Sequence, residues 1–195
     1  NTLLGPQPGF KGVAKEGLFR AMMHYGYKRL VVLVSERGHY SLGKAADVLG
    51  MGRQDIVSVG TDENNKIRID LLEQKIAELK AEGAGILALI GVAGTTETGN
   101  IDPLDAMADI AEREDIHFHV DAAWGGATML SENARPLLKG IERADSITVD
   151  AHKQMYVPMG AGMVLFKDPH STDVIEHHAE YILRKGSKDL GSHTL

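Results

Sequence analysis

The sequence predicts an α/β fold, a mainly parallel sheet flanked by helices, on three observations. Short β-branched runs alternate with segments of helical period along the chain. One of those runs, Leu30-Val31-Val32-Leu33-Val34, is apolar throughout, as expected of a strand covered on both faces. Polar residues with chemical capability also collect just after the runs, where open α/β sheets place their ligands.

Taken in order, the first strand spans 30–34, and Ser41 then caps a helix over 41–49 that Gly50 ends. A short strand over 56–59 precedes a helix over 71–82, capped by Asp70 and stopped by Gly83, in which Leu71, Leu72, Lys75, Ile76 and Leu79 keep helical spacing. Residues 86–92 form the next buried strand, followed by the loop 94–100. Asp102-Pro103 opens a helix that ends near Glu114, with the aspartate as cap and the proline at the first position. Strands follow over 116–120 and 144–149, with a short helix over 133–140 between them. The last strand, 161–167, follows its predecessor too closely for a helical crossover and is expected to be antiparallel. A final helix over 173–184 carries His177 and His178, which face different ways and make a poor chelate.

Composition narrows the function classes. The chain has 195 residues, 43% apolar and 25% charged, which suits one globular domain or a piece of a larger one. Its net charge of −6, with no basic stripe interleaved with aromatics, offers no footprint for nucleic acid. It has no cysteine, so disulfides, thiolate metal sites and a thiol nucleophile are excluded. The longest apolar run, 84–94, falls well short of the roughly 20 residues that span a bilayer, and no secretory signal pattern opens the chain. A soluble, cytoplasmic protein with no membrane contact is expected. The chain begins at Asn1 with a Gly/Pro-rich approach and stops at Leu195 without a closing element, so it reads as a central piece of a longer polypeptide.

His39 follows the first strand, Thr96 the third, Asp121 the fourth and Lys153 the fifth. Singly, each has a plain reading: a solvated loop His, a turn Thr, a capping Asp, a surface Lys. Together they suggest one crevice. A lysine in an apolar setting can form a Schiff base with a carbonyl, and a carboxylate can hold a pyridine nitrogen protonated. Those are the parts of a pyridoxal phosphate site, with Ala123 and His39 suited to the two faces of a flat ring and Gly125-Gly126 allowing close backbone approach. A metal site competes. His117, His119 and Asp121 alternate onto one strand face, and His152 with Asp150 could add ligands; satisfied histidines are the plainer reading.

The stretches His119-Val120-Asp121-Ala122-Ala123-Trp124-Gly125-Gly126 and Asp145-Ser146-Ile147-Thr148-Val149-Asp150-Ala151-His152-Lys153 closely resemble the central motifs of the pyridoxal-phosphate-dependent decarboxylases of the glutamate, tyrosine and aromatic amino acid type. Ser35-Glu36-Arg37-Gly38-His39-Tyr40-Ser41 and Gly94-Thr95-Thr96 fall in that family's order. The resemblance implies the large cofactor-binding domain of the type I pyridoxal-phosphate fold. It makes Lys153 the lysine that carries the cofactor as a Schiff base, His152 the histidine near phosphate and substrate, and Asp121 the partner of the pyridine nitrogen. His39 resembles the stacking histidine, Ala123 the small residue beneath the ring, and Thr96 the threonine close to the cofactor. Many relatives carry Asn-Pro where this sequence has Asp150-Ala151, which leaves Asp150 outside the candidate site.

By the same resemblance, residues 1–195 form a partial large domain. The family's phosphate loop belongs before residue 1, and its mobile tyrosine loop and small C-terminal domain after residue 195. The implied activity is removal of the α-carboxylate of an amino acid by a homodimer. The motif wording is nearest to bacterial enzymes acting on aspartate, glutamate or diaminobutyrate, which favours an acidic substrate. Two alternatives remain open at this point: an aminotransferase or lyase of the same fold, since Lys153 and Asp121 do not choose the bond that breaks, and a non-catalytic assembly module.

Overall fold

In the computed structural model, which describes residues 3–173, six strands make one sheet: β1 (Arg29–Ser35), β2 (Ile56–Val59), β3 (Ala84–Val92), β4 (His117–Asp121), β5 (Ser146–Asp150) and β6 (Gly162–Phe166). Their spatial order is β2-β1-β3-β4-β5-β6. The pairs β1/β2, β1/β3, β3/β4 and β4/β5 are all parallel. The first compact unit runs to Leu165 and the second begins at Phe166; among the described residues of the second, Asp168 accepts the His170 N–H in a turn.

Among the described residues five α-helices accompany the sheet: α1 (Val13–Glu16), α2 (Leu18–Tyr25), α3 (Ser41–Val48), α4 (Ile69–Glu82) and α5 (Leu104–Glu114). The alternation of β1 shows how its two faces are shared. Val31 and Leu33 join the main core with Leu72, Ile76 and Leu79 of α4 and Leu104, Met107 and Ile110 of α5. Leu30 packs on the other face with Phe10 and Ala21, and Val34 packs there with Ile90, Val92 and Leu42. Burying both faces is what made the run apolar throughout. Along β4 the pattern changes: Phe118 and Val120 enter the main core, while His117, His119 and Asp121 take the opposite face. In parallel register beside them, His119 is level with Ser146 and Asp121 with Thr148, so this part of the face is polar.

Strand order reverses between β1 and β3. The chain leaves β1 outward to β2, then returns to β3 on the other side, and later strands add in that second direction. The connections that follow β1 and β3 therefore leave to opposite faces of the sheet, with Leu42 of α3 on one and Leu104 of α5 on the other, and a crevice opens between them.

Three expected helix caps are corrected. Ser41 lies inside α3, whose N-cap position is Tyr40 with no side-chain cap; the Ser41 hydroxyl is engaged by His39 Nδ1 at 2.8 Å. Asp70 lies in the first turn of α4, after the extended Arg68, and its carboxylate is drawn back to the Arg68 guanidinium. Asp102 precedes the N-cap Pro103 of α5, and its carboxylate turns away from the helix to accept the N–H groups of Ile67 at 2.8 Å and Val92 at 2.9 Å. The proline accordingly sits at the cap and not at the first helical position. The short helix expected over 133–140 is a 3₁₀ turn at Arg135–Leu138, flanked by others at Gly125–Leu130 and Ile141–Arg143. The helix expected beyond Asp173, with His177 and His178, lies outside the described residues. Among the described residues no helix is long and apolar enough to cross a membrane.

Candidate functional site

A cleft of about 330 Å³ opens at the carboxyl ends of the strands. His39 enters it from the loop after β1, Thr96 from the loop after β3, Asp121 and Ala123 from the end of β4, and Lys153 from the turn after β5. Five of the six residues expected from the sequence thus share one cavity. The sixth, His152, lies beside it: its Nδ1 donates to the Ala161 carbonyl at 3.1 Å, and its Nε2 is 3.8 Å from Asp150 Oδ2.

Each wall has a local cause. The loop after β1 turns immediately, with Gly38 N–H donating to the Ser35 carbonyl at 2.7 Å and Arg37 N–H to Ser35 Oγ at 3.1 Å. That turn delivers His39, whose Nδ1 is held by Ser41 and whose ring lies 4.2 Å from the Tyr40 ring. The loop after β3 is knitted on itself: Asn100 O accepts from Gly94 and Thr95 N–H, and Thr95 Oγ1 accepts from Asn100 N–H at 3.1 Å. Thr95 is buried by this, and Thr96 is left at the cleft. Beneath Thr96, Gly125 N–H donates to the Ala93 carbonyl at 3.0 Å, and a Cβ at Gly125 would lie 2.4 Å from that oxygen. Only glycine allows the two backbones this approach.

Asp121 ends β4 with its Oδ1 accepting the Ala123 N–H at 3.2 Å, which fixes the carboxylate at the mouth of the turn. Lys153 is not in apolar surroundings. Its Nζ is 2.9 Å from Asp150 Oδ2, three residues back across the turn, and both line the cleft. Gln154, in the amide orientation that satisfies donor and acceptor alike, accepts from Trp124 Nε1 at 3.0 Å and donates to its carbonyl at 3.2 Å, tying the turn bearing Lys153 to the one bearing Ala123.

Asp150 is therefore a site-lining residue that sequence reasoning set aside. Arg37, Trp124, Thr148 and His119 are others. The Arg37 guanidinium stands at the cleft and pairs with Glu97 at 3.2 Å, bridging the loops after β1 and β3. The motif order around His39 could have signalled Arg37, two residues before it.

His117 and His119 do not gather as a chelate. Both point to Ser146 Oγ, at 2.8 Å each, and His119 Nε2 is 3.2 Å from Thr148 Oγ1. Burial, opposed by Asp121 and reinforced by His117, holds His119 below the usual histidine range, so it is a neutral hydrogen-bonding ring at pH 7. Among the described residues no group of three His, Cys, Asp or Glu side chains is arranged to hold a metal ion.

A doubly wound sheet with an amine, a carboxylate and an imidazole converging at its switch point defines a ligand-binding α/β domain of the kind that handles a flat cofactor. The family model for the pyridoxal-dependent decarboxylase conserved domain matches residues 14–195, and the chain belongs to that family. It is 64% identical over all 195 residues to aspartate 1-decarboxylase of Aliivibrio fischeri, and 39% identical over 155 residues, 80% of the chain, to L-2,4-diaminobutyrate decarboxylase of Acinetobacter baumannii. The chain spans 36% and 30% of the lengths of those two relatives. Among solved structures it is similar to mouse CSAD in apo form, with 36% identity and a TM-score of 0.76 over 82% of this chain and 32% of that one. It is also similar to Oryza sativa TDC with PLP and tryptamine, with 26% identity and a TM-score of 0.70 over 78% of this chain and 34% of that one.

Proposed function

We propose that this chain is the central part of a pyridoxal-phosphate-dependent amino acid decarboxylase acting on an acidic substrate, aspartate or glutamate. The observation that carries the reading is the meeting of Lys153, Asp121 and His39, remote in sequence, in one cleft. The donor set fits the cofactor: a primary amine for its aldehyde, a carboxylate for its ring nitrogen, an imidazole and the small Ala123 for its faces, and Thr96 and His152 nearby. Bound pyridoxal phosphate supplies an aldehyde that condenses with amines and a cationic ring that withdraws electrons from the bond to be broken.

The chain's own groups do the rest. Asp150 holds the Lys153 side chain in the cleft, where its nitrogen is placed to meet an aldehyde. Asp121, oriented by the Ala123 N–H, keeps a proton on the nitrogen set against it. His39 has its Nδ1 engaged by Ser41, so its Nε2 is the nitrogen available to move a proton at the substrate carbon. The names of the two curated relatives support decarboxylation and, for the aspartate enzyme, an acidic substrate. A cytoplasmic homodimer completes the reading; Phe19 and Met23, exposed one turn apart on α2, suit burial against further protein.

The test is the visible absorbance of the full-length polypeptide that carries this segment, followed by borohydride reduction and mass spectrometry. A yellow protein whose pyridoxyl label maps to Lys153, lost in Lys153→Ala, and which releases carbon dioxide from aspartate or glutamate, is expected. A label elsewhere overturns the assignment of Lys153, and a labelled enzyme that only exchanges amino groups overturns decarboxylation.

A further inference from the structure

Asp102 is 3% exposed and makes no ion pair among the described residues, yet both carboxylate oxygens are used. Oδ1 accepts from Ile67 N–H and Oδ2 from Val92 N–H. The second contact has a topological reason. The last β1/β3 pair is Val34 with Ile90, so β1 has diverged before Val92 is reached, while the next amide, Ala93, turns to the Asp121 carbonyl of β4. Val92 N–H would face a missing strand, and Asp102 supplies the acceptor. It also donates its own N–H to the Val92 carbonyl at 2.9 Å.

The first contact reaches the hairpin over 61–67, closed by the Thr61/Ile67 bridge and by Asp62 N–H donating to the Lys66 carbonyl. The other side of that hairpin holds the loop after β1: Glu36 Oε1 accepts from Thr61 Oγ1 at 2.5 Å and from Thr61 N–H at 3.2 Å. Asn100 of the loop after β3 adds a tie, donating through Nδ2 to the Asn64 carbonyl. These bonds form one path between the two walls, from the loop of His39 through Glu36, the hairpin and Asp102 to Val92 and the loop of Thr96.

We infer that Asp102 is a positioning residue for the cleft: its buried carboxylate clasps the 61–67 hairpin to the end of β3 and so sets the spacing of the walls that carry His39 and Thr96. An asparagine cannot replace it, because its amide nitrogen would meet a donor where one oxygen now accepts. The importance of that spacing for a cofactor rests on the function proposed above; the clasp does not.

The experiment is hydrogen exchange on the full-length polypeptide without added cofactor, with pyridoxal phosphate affinity measured in parallel. Asp102→Asn is expected to speed exchange about tenfold at residues 92–96 and also at 35–40, which it does not touch, and to weaken cofactor binding by a similar factor. Thr61→Val, a change at a half-buried residue at the other end of the path, is expected to speed exchange about threefold in both segments. It decides the matter if Asp102→Asn does not fold. Leu79→Ala, which opens a cavity under α4, serves as the destabilised comparison and leaves 35–40 protected. Exchange altered only at Ile67 and Val92, or equally altered by Leu79→Ala, overturns the clasp. Coupled exchange in a protein that binds no pyridoxal phosphate upholds the clasp and refutes the proposed cofactor.

Discussion

Asp121 and Asp150 are both carboxylates at strand ends lining one cleft, but they face different tasks. Asp121 is oriented by a backbone N–H and has no cation against it among the described residues, which suits it to a protonated ring nitrogen; Asp150 is bound to Lys153. Asp121→Asn is expected to cut turnover about a hundredfold, equivalent to ~3 kcal/mol of barrier, with the melting temperature nearly unchanged. Steady-state kinetics beside a thermal melt would check it, and unchanged turnover would remove the role. Asp150→Asn is expected to reduce the rate at which Lys153 captures the cofactor, read by stopped-flow absorbance, while leaving the borohydride label on Lys153. Both aspartates end a strand run; the first was legible in the sequence because the motif around it matches the family's. The second was not, because its link to Lys153 exists only once residues 151–153 turn back, and a difference in motif wording argued against it.

Strands were more legible than helix ends for a related reason. A buried strand is written in its own composition, whereas a cap depends on where a side chain finds its partner. Ser41, Asp70 and Asp102 are all good capping residues, and each is diverted by a tertiary or neighbouring group: His39, Arg68, and the Ile67 and Val92 amides. Helix α2 was passed over although Leu18, Ala21, Met22 and Tyr25 keep helical spacing; its eight residues, cut from α1 by Gly17, are a short signal. Glycines divide cleanly. Gly83 closes α4 at φ +82°, where an added Cβ would meet only the Lys28 side chain at 3.6 Å; Gly83→Ala is expected to cost about 1 kcal/mol. Gly140, at φ +96°, would put a Cβ 2.4 Å from the Asp105 backbone nitrogen, so Gly140→Ala is expected to cost well over that, about 3 kcal/mol or more. Urea unfolding of the two variants would rank them.

Across the molecule, charge is arranged to favour neutral pH. Hydrogen bonds from Thr61 hold Glu36 below the usual carboxylate range, and contacts with Lys139 and Arg143 do the same for Asp105. Lys80 and Arg113 lower Glu114, and Lys75 lowers Glu78. Groups depressed on folding contribute stability that is complete above their unfolded values and is lost as pH falls through the folded ones. Asp102 has the opposite sign: burial raises it, so acid relieves a penalty there while weakening its hold on two amides. The depressed carboxylates outnumber it, and His119, also held low by burial, adds a loss that begins at the ordinary histidine value, so the urea midpoint should start to fall below about pH 6.5 and fall further below about pH 4; a steady rise on acidification would contradict this. The register of the sheet has a bearing on which length changes the protein can accept. His119, Asp121, Ser146 and Thr148 share a face only because β4 and β5 run in step, with Asp121 level with Thr148. One residue inserted within β4 upstream of Asp121 would turn the carboxylate into the main core and bring Val120 to the cleft, while one inserted in the exposed turns outside the strands would leave both in place. In descent, such a sheet tolerates drift in the lengths of its connections and holds the parity of its strands fixed.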